Sequence, residues 1–461
     1  MSMSNLQSSQ NTSSSVKFKA GKKILVIGNG GRENTIVEAL LRSPQDVEVF
    51  NFASSINPGI KKLIGVGNII VGNYMDLEEI KKVGNEIKPD FAVVGPDDPI
   101  GIGAVDALKE IGIGSFAPTK KNAQLESSKA FTRNLLAKYD IEGSPDFLVS
   151  TEVEDTQSRK DFYDKFQGSI VVKADGLLGG KGVLVGGEHF DNFEIAEDFA
   201  IKSIEKFDRV VLEEKLIGEE FSLISLVDGV TVLDTPAIQD HKRAFDGDMG
   251  PNTGGMGCIS DERNSLPFLD KKDLEDAHQI TVEVMDAIER KNGERFVGVM
   301  YGGFMKTKNG IKLIEYNARF GDPEALNILP ILETDFVNIC EKAIAGKLFE
   351  VGKLAFKPVA TVVKYLCPEG YPDDPVKDVV INQKSNDLEH VYFASVAEEN
   401  GDLILKGSRA VGILGVGSTI DEARIDCEEK IKNFSGPLFY RKDIGTKELV
   451  QKRMDHIKKI L

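Results

Sequence analysis

The stretch Lys23–Glu33, which reads KILVIGNGGRE, decides the fold of the first part of the chain. Its first five residues are a short apolar, β-branched run typical of a buried strand. Gly28–Gly31 interrupts that run, and apolar residues then recur at helical spacing from Ile36 to Leu41. A strand, a glycine turn and a helix in this order predict a doubly wound α/β unit, which binds ligands outside the carboxyl ends of its strands.

The following segments extend this alternation. Apolar runs predict strands at Val47–Ala53 and Phe91–Val94, and the pattern predicts a helix at about 103–112. The turn Gly28–Gly31 does not match G-x-G-x-x-G, and Asn51 stands where a dinucleotide-binding protein has an acid for the ribose. The turn therefore favours a phosphate at a helix N-terminus over a dinucleotide.

A second region begins near Ala123. Gln124–Tyr139 has the pattern of a helix and contains Lys129. Further on, strand Ile170–Lys173 leads through a glycine-rich tip into strand Val183–Val185. Glycines allow backbone N–H groups to approach phosphate oxygens, and a lysine adds a point charge. A merely flexible hairpin is the alternative.

Polar side chains end a later strand. Along Glu315-Tyr316-Asn317-Ala318-Arg319, alternate residues point to one face, so Glu315, Asn317 and Arg319 share it. A carboxylate and an amide oxygen suit Mg²⁺, which completes its shell with waters and phosphates. With a fixed cation beside them, they suit phosphoryl transfer. A solvated strand end is the alternative.

Three further segments carry polar groups. Strand Val210–Leu216 contains paired acids that suit an adenine or a ribose, although a solvated strand edge explains them equally well. Residues 239–243, QDHKR, are a dense polar cluster, and residues 250–257, GPNTGGMG, are too rich in glycine for regular structure. Within the cluster, His241 suits a positioning role better than a general base, because no Ser or Cys stands at nucleophile spacing.

The chain divides into several parts. We expect a disordered tail at 1–21, an N-terminal α/β substrate-binding domain at 22–122, a central domain at 123–352 with a lid at about 144–214, and a C-terminal domain at 353–461. The C-terminal part has short antiparallel strands and a closing helix at about 419–434, which predict a small α+β cap without a catalytic signature of its own.

Bulk properties exclude several classes of protein. The net charge of −16 argues against a nucleic-acid partner, which needs a basic surface. The four cysteines form no C-x-x-C pair, which fits a reducing compartment and buried thiols. No apolar run reaches the ~18 residues that span a bilayer. The first twenty residues lack a secretory apolar region and any arginine, so a disordered tail is favoured over an organelle transit peptide. We expect a cytoplasmic protein.

These segments, in this order, resemble the ATP-grasp superfamily and, more narrowly, the glycinamide ribonucleotide synthetase (phosphoribosylamine–glycine ligase) family of purine synthesis. The resemblance runs from about Lys22 to the C-terminus, and its most specific pieces are 28–33, 95–97, 125–129, 173–176, 239–243, 250–257 and 319–324. The sequence departs from the family at two places. Asn34 stands where the family has His, and residues 302–306 lack the upstream carboxylate that the wider superfamily often supplies to its metals.

The resemblance implies a role for each group of residues. ATP would bind to Lys129, Lys173, Gly179, Gly180, Lys181, Gly182, Glu213, Glu214, Leu216 and Glu220. Phosphoribosylamine and glycine would bind to Gly28, Asn29, Gly30, Gly31, Arg32, Glu33, Pro58, Gly59, Asn252, Thr253, Gly254 and Gly255. Glu315 and Asn317 would hold Mg²⁺ or Mn²⁺, while Arg319, Asp240 and Lys242 would act in catalysis.

The implied reaction joins glycine to 5-phosphoribosylamine through a glycyl phosphate and releases ADP and phosphate. The implied protein is a monomer or a weak homo-oligomer without nucleic-acid or membrane partners. Another ATP-grasp carboxylate–amine ligase or carboxylase is the nearest alternative. An NAD-dependent dehydrogenase and a non-catalytic nucleotide-binding protein are alternatives of other classes. The missing ribose acid argues against the dehydrogenase, and the intact lysines and metal strand argue against the non-catalytic protein.

Overall fold

The structure, a computed structural model, describes residues 21–178, 182–385 and 389–461. The predicted tail at 1–21 lies, except for Gly21, outside the described residues. No helix in the described ranges has both the length and the apolar character to cross a membrane. All four cysteines are buried and free, as the sequence predicts.

The first domain is a parallel sheet flanked by helices, as predicted. Its strands pair in the order β3-β2-β1-β4-β5. They are β1 (Lys22–Ile27), β2 (Val47–Ala53), β3 (Ile69–Val71), β4 (Phe91–Val94) and β5 (Ser115–Phe116). The helices are α1 (Gly31–Leu41), α2 (Pro58–Ile64), α3 (Leu77–Ile87), α4 (Asp97–Ile102) and α5 (Ala104–Glu110). The strand order reverses between β1 and β4, and such a switch point opens a ligand crevice at the strand carboxyl ends.

A second sheet forms a small unit with its own apolar core, built around Ile170, Val172 and Leu212. Its strands pair antiparallel in the order β6-β9-β7-β8. They are β6 (Phe147–Ser150), β7 (Ile170–Ala174), β8 (Val183–Val185) and β9 (Val210–Glu214), with helices α8 (Thr156–Lys165) and α9 (Phe193–Phe207). The predicted hairpin is therefore present as β7 and β8, although residues 179–181 at its tip lie outside the described residues.

The helix predicted at Gln124–Tyr139 is divided, which corrects the sequence reading. The structure has α6 (Gln124–Ser127) and α7 (Lys129–Lys138), separated by Ser128 in an extended conformation. Ser128 accepts a hydrogen bond from the Phe131 N–H and so caps α7, because serine competes with the helical backbone and favours caps. Lys129 consequently stands at the first position of α7.

The central sheet carries the predicted metal strand. Its strands are antiparallel in the order β11-β10-β16-β17, and α10 (Lys271–Asn292) packs against it. They are β10 (Gly218–Val227), β11 (Val232–Asp234), β16 (Gly298–Thr307) and β17 (Gly310–Asn317). Helices α11 (Glu324–Ile328) and α12 (Phe336–Ile344) follow β17.

The C-terminal sheets take strands from two parts of the chain. One sheet has the order β12-β15-β18-β23-β20, with β25 also on β18, and another has the order β21-β22-β19-β24. The strands are β12 (Gln239–Asp240), β15 (Gly257–Ser260), β18 (Ala360–Pro368), β19 (Lys377–Gln383), β20 (Val391–Phe393), β21 (Val396–Glu399), β22 (Asp402–Lys406), β23 (Val411–Gly417), β24 (Phe434–Ser435) and β25 (Leu438–Phe439). The hairpin β13 (Arg243–Phe245) and β14 (Met249–Asn252) lies between β12 and β15 in sequence.

Two helices end the chain. α13 (Ile420–Ile431) matches the predicted closing helix, whereas α14 (Lys447–Ile460) was not predicted from the sequence. Because β12 and β15 join the C-terminal sheet, the 239–260 segment packs with the cap. The domain boundaries stay predictions.

Candidate functional site

The end of β17 presents polar side chains on one face. Glu315, Asn317 and Arg319 are half-buried, whereas Tyr316 and Ala318 between them are buried at 2% and 1% exposure. This alternation is the one that a strand imposes. The face therefore offers a carboxylate, an amide and a guanidinium in a row.

Cations from three other elements surround Glu315. Burial acts to raise the pKa of Glu315, but the charges of Lys242, Lys173, Lys129 and Arg319 hold it below its usual value. These cations come from the segment after β12, from β7, from the start of α7 and from the end of β17 itself. The structure thus brings together the predicted metal ligand and the predicted phosphate-binding lysines.

The two lysines predicted to bind phosphate have protein partners. Lys129 donates from Nζ to the carbonyl oxygen of Gly176, in the β7–β8 hairpin, at 3.0 Å. Lys173, 6% exposed, lies 2.7 Å from Glu213. Burial lowers the pKa of Lys173, and the nearby Arg133 charge lowers it further, while Glu213 and Glu315 oppose the shift.

Arg319 is held by two acids, Glu126 and Asp97. Its guanidinium lies 2.9 Å from Glu126 and 3.9 Å from Asp97, which begins α4 in the first domain. Glu126 also accepts the Ala318 N–H at 2.7 Å. The buried Nε of Arg319 has no hydrogen-bond partner among the described residues. A buried donor without a partner is costly, so this atom is available to an anionic ligand.

The glycine turn after β1 is organised by Glu33. This buried carboxylate accepts the Gly30 N–H at 2.6 Å and pairs with Arg32 at 2.6 Å. A Cβ on Gly28 or Gly95 would clash with Glu33, so these glycines make room for it. The N-terminus of α1 therefore lies at the crevice between β1 and β4, where unpaired N–H groups and the helix dipole favour an anion.

Asn51 has a structural role at the same crevice. Its amide donates to the carbonyl oxygens of Val26 and Gly28 at 3.1 and 2.8 Å. The side chain is fully buried beneath the turn. It supports the turn from below and does not face a ribose.

The second predicted substrate segment adjoins this turn. Asn57 caps α2 through Gly59 N–H at 2.8 Å and donates to the Asn29 carbonyl oxygen at 2.8 Å. Asn34 accepts the Phe393 N–H at 3.2 Å, and a Cβ on Gly59 would lie 1.9 Å from its Oδ1. Asn34 thus joins the first domain to the C-terminal sheet. Pro58 is buried at the first position of α2.

The polar cluster after β12 faces Glu315. Lys242 pairs with Glu220 at 3.2 Å, and the charge of Glu220, with those of Glu315 and Asp240, raises the pKa of Lys242 against the effect of burial. Thr253 donates to the Lys242 carbonyl oxygen at 2.8 Å from its hydroxyl and from its N–H. This contact ties the predicted glycine-binding loop to Lys242. Asn252, the loop residue that ends β14, is the cross-strand partner of Arg243 on β13.

Asp240 is a half-buried carboxyl group beside a second acid, Glu324. Burial raises its pKa well above the usual value, and the nearby Glu324 raises it further. Its Oδ1 accepts the His241 N–H at 2.7 Å. A Cβ on Gly255 would meet Pro323 at 2.5 Å and Asp240 at 2.6 Å, so glycine at 255 permits close packing of the loop.

His241 is not placed as a general base. It is 2% exposed, and its Nδ1 lies 3.3 Å from the Gly257 carbonyl oxygen. Burial, with the charges of Arg441 and Arg453, lowers its pKa to about 3. The imidazole is neutral and buried next to the Gly257 carbonyl oxygen on β15. A positioning role stays the prediction for His241.

Arg409 is a site residue that sequence reasoning missed. It comes from the cap, between β22 and β23, and donates from Nη1 to the carbonyl oxygens of Gly254, Gly255 and Asp322 at 2.7, 3.0 and 2.6 Å. It also lies 4.7 Å from the ring centre of Tyr365, whose hydroxyl donates to Asp322 at 2.6 Å. The cap was predicted without a site residue because Arg409 sits in an ordinary loop sequence; only its neighbours in space reveal its contacts.

The remaining predicted ATP-binding residues fall into two groups. Gly179, Gly180 and Lys181 lie outside the described residues. Gly182 accepts the Ala174 N–H at 2.9 Å and is packed under Leu178. Glu214 accepts the Asp146 N–H at 3.1 Å, and Leu216 is half-buried in the turn before β10. The Glu213 carboxylate is fully engaged by Arg133 and Lys173.

The donor set suits a magnesium ion that shares its shell with phosphate. No cluster of three or more His, Cys, Asp or Glu able to hold a metal occurs in the described ranges. Glu315 and Asn317 nevertheless offer two hard oxygens on one face. Gly303 is the cross-strand partner of Glu315, so no side chain arrives from β16 at that point. Mg²⁺ commonly takes one or two protein oxygens and completes its shell with waters and substrate phosphates.

Comparisons with known proteins agree along the chain. Three models of phosphoribosylglycinamide synthetase match: the N domain at residues 22–126, the ATP-grasp (A) domain at 127–325 and the C domain at 361–447. The phosphoribosylamine–glycine ligase of Methanococcus vannielii is 42% identical over 95% of this chain and 100% of its own length. The enzyme of the same name from Methanocella arvoryzae is 41% identical over 94% of this chain and 99% of its own length.

Solved structures share the fold. A phosphoribosylamine–glycine ligase from Thermotoga maritima superposes with a TM-score of 0.75 at 27% identity, covering 91% of this chain and 99% of its own. A biotin carboxylase domain from Hydrogenobacter thermophilus superposes with a TM-score of 0.68 at 16% identity, covering 96% and 94%, and shows the fold alone. From the three matching domain models and the identity over nearly its full length, the chain belongs to the phosphoribosylglycinamide synthetase (phosphoribosylamine–glycine ligase) family.

Proposed function

We propose that the chain uses ATP to join glycine to 5-phosphoribosylamine, giving glycinamide ribonucleotide, ADP and phosphate in purine biosynthesis. The observation that carries this proposal is the position of Arg319. Its guanidinium stands beside Glu315 and Asn317 on one side and pairs with Asp97 of the first domain on the other. Arg319 thus connects the proposed nucleotide site with the proposed phosphosugar site. This arrangement suits transfer of a phosphoryl group to a carboxylate, followed by attack of the amine on the acyl phosphate.

On this proposal, Lys129 and Lys173 bind the ATP phosphates. Glu315 and Asn317 hold Mg²⁺, or Mn²⁺, which supplies charge neutralisation to the phosphate oxygens. Glu213, Glu214, Leu216 and Glu220 border the adenosine. Of these, Glu213 contributes through Lys173, because its carboxylate already pairs with that lysine at 2.7 Å.

The 5-phosphate of phosphoribosylamine binds at the glycine turn of residues 28–33, with Pro58 and Gly59 beside it. The α1 N-terminus offers unpaired N–H groups to this anion. Arg32 adds a positive charge and is fixed by its bond to the Phe320 carbonyl oxygen at 3.1 Å. That bond links the sugar site directly to the Arg319 segment. The loop 252–255 with Asp240 and Lys242 positions glycine and the amine.

The reaction proceeds in two balanced steps. A glycine carboxylate oxygen bonds to the γ-phosphorus of ATP, and the bond to the ADP oxygen breaks. The amine of phosphoribosylamine then attacks the carbonyl carbon, loses a proton, and expels phosphate as the amide forms. Arg319 stabilises the charge on the phosphoryl oxygens through its unpartnered Nε. Orientation of the reactants contributes about 7–11 kcal/mol in such sites.

A product assay tests this function. We expect stoichiometric ADP and phosphate only when glycine and freshly generated phosphoribosylamine are both present. Bicarbonate in place of glycine tests the carboxylase alternative. ADP release that needs bicarbonate and ignores glycine, or AMP and pyrophosphate as the products, would contradict the proposal.

Two properties of the whole protein belong to the same proposal. We place the enzyme in the cytoplasm as a monomer or a weak homo-oligomer. Sedimentation velocity over a range of protein concentrations tests the second property. A stable higher oligomer at the lowest concentration would refute it.

A further inference from the structure

Arg133 connects the elements that carry the phosphate and metal groups. This arginine lies on α7, one helical turn after Lys129, and is 2% exposed. It donates from Nε and Nη2 to the two carboxylate oxygens of Glu213 on β9, at 2.7 and 2.9 Å. Its Nη1 and Nη2 donate to the carbonyl oxygens of Leu313 and Ile314 on β17, at 3.0 and 2.7 Å. One side chain thus spans α7, β9 and β17.

Glu213 stands between two cations. Its Oε2 lies 2.7 Å from Lys173 Nζ and also accepts from Arg133. Burial acts to raise the pKa of Glu213, but Arg133 and Lys173 together lower it to about 2. The carboxylate is therefore ionised, and it is shared between Arg133 and Lys173.

Glu213 in turn fixes Lys173, because its carboxylate lies 2.7 Å from the lysine Nζ. Because Arg133 occupies both carboxylate oxygens in a two-pronged contact, Glu213 is held in place and shared. Lys173 keeps its position 3.4 Å from the Ile314 carbonyl oxygen, next to Glu315.

We infer that Arg133 is a positioning residue for ATP, which acts through Glu213 to hold Lys173 aimed at the phosphates. The inference rests on the proposed binding of ATP phosphates by Lys173. Arg133 itself is buried behind Glu213 and has no need to touch the nucleotide. Its effect should therefore fall on ATP and not on the other two substrates.

Steady-state kinetics of the full chain test this role. For Arg133→Gln we expect the KM for ATP to rise about 10- to 100-fold, the range of one or two charged hydrogen bonds. The KM values for glycine and phosphoribosylamine should stay within about twofold. Arg133→Lys keeps the charge but cannot make the two-pronged contact, so it should recover only part of the loss. Equal increases in all three KM values would overturn the inference.

A double-mutant cycle tests the path through Glu213. If Arg133 acts through this carboxylate, adding Arg133→Gln to Glu213→Gln should change the KM for ATP by less than about twofold. If the two effects multiply, Arg133 acts only through the β17 carbonyl groups, and the inference is wrong. If Arg133→Gln does not fold, the Glu213→Gln variant alone tests the inference. An unchanged KM for ATP in Glu213→Gln would exclude any path through the Glu213 carboxylate.

The chain supplies a matched control. Arg159 is also fully buried and pairs with Glu197, but in the core of the β6–β9 unit. Arg159→Gln should lower stability without a selective effect on ATP, and an equally selective effect would overturn the inference. Lys173→Met separates the inference from the proposed function. A normal KM for ATP in that variant would refute the phosphate assignment itself, whereas a raised value with a silent Arg133→Gln would refute only the role of Arg133.

Discussion

Gly95→Ala tests how the glycine turn is organised. Gly95 follows β4 and does not adopt the left-handed conformation that excludes alanine. A Cβ at this position would nevertheless lie 2.0 Å from Glu33 Oε1 and 2.7 Å from its Cδ. Non-bonded contacts need roughly 3.5 Å, so the Glu33 carboxylate must move by about 1 Å or more.

The magnitude follows from the bonds that this movement breaks. Glu33 would lose its contacts with the Gly30 N–H and with Arg32, both at 2.6 Å. A hydrogen bond to a charged group contributes about 1.5–3 kcal/mol, and partial recovery is expected, so unfolding free energy should fall by about 3 kcal/mol. The KM for phosphoribosylamine should rise about 10- to 100-fold, because the turn proposed to bind its phosphate is displaced.

Denaturant unfolding and ADP-release kinetics measure the two effects. Gly67→Ala is the matched control, since its Cβ meets nothing within 4 Å in the same domain. We expect the control to change stability by less than about 0.5 kcal/mol. A Gly95→Ala protein with the stability of the control and an unchanged KM for phosphoribosylamine would refute the role given to Glu33.

Three further predictions concern the rest of the site. Glu315→Gln should keep the fold and lower turnover at limiting Mg²⁺ by at least about 100-fold, because it removes the anion among the surrounding cations. Near-normal activity of this variant at limiting Mg²⁺ would refute the metal assignment. Arg409→Met should lower the free energy of unfolding by about 3–5 kcal/mol, because three carbonyl oxygens lose their donor. The control Lys406→Met, on the exposed face of the cap, should lower it by less than about 1 kcal/mol. Similar losses for both variants in urea unfolding would show that the buried contacts of Arg409 are unimportant. The pKa of His241 is lowered to about 3, so between about pH 6.5 and pH 3 the unfolded chain binds a proton at this residue that the folded chain does not. The free energy of unfolding should therefore decrease as the pH is lowered through this window. His241→Gln should make this decrease shallower, and an unchanged slope would contradict a buried neutral ring.

Local patterns were sufficient for much of the fold. The run before Gly28 and its parallel successors predicted the first sheet, because buried parallel strands are near-continuous apolar segments. The shared face of Glu315, Asn317 and Arg319 followed from the two-residue period of a strand. Long-range strand pairing was not accessible in this way. The joining of β12 and β15 to the C-terminal β18 depends on contacts across a hundred residues, which no local pattern encodes.

The candidate site could be predicted from the sequence where its residues stand in a distinctive motif. It could not be predicted where they stand in a common helix or loop sequence. Lys173 stands beside a glycine-rich hairpin, and the sequence therefore predicted a phosphate-binding role for it. Arg133 lies in an unremarkable helix, and Arg409 lies in a loop of the cap. Each matters because of the groups it meets in space, Glu213 for one and Asp322 with the 254–255 loop for the other. For Glu213, the resemblance implied a position beside the adenine, and the structure adds that its carboxylate pairs with Arg133 and Lys173.

The fate of one glycine oxygen shows whether the carboxylate of glycine is phosphorylated. If a glycyl phosphate forms, glycine labelled with ¹⁸O in its carboxylate transfers one labelled oxygen to the released phosphate. The shift of the phosphate resonance in ³¹P NMR measures this transfer during turnover with unlabelled ATP and phosphoribosylamine. The account predicts one ¹⁸O atom per phosphate. Unlabelled phosphate at full turnover would show that the carboxylate is not phosphorylated and would contradict the mechanism.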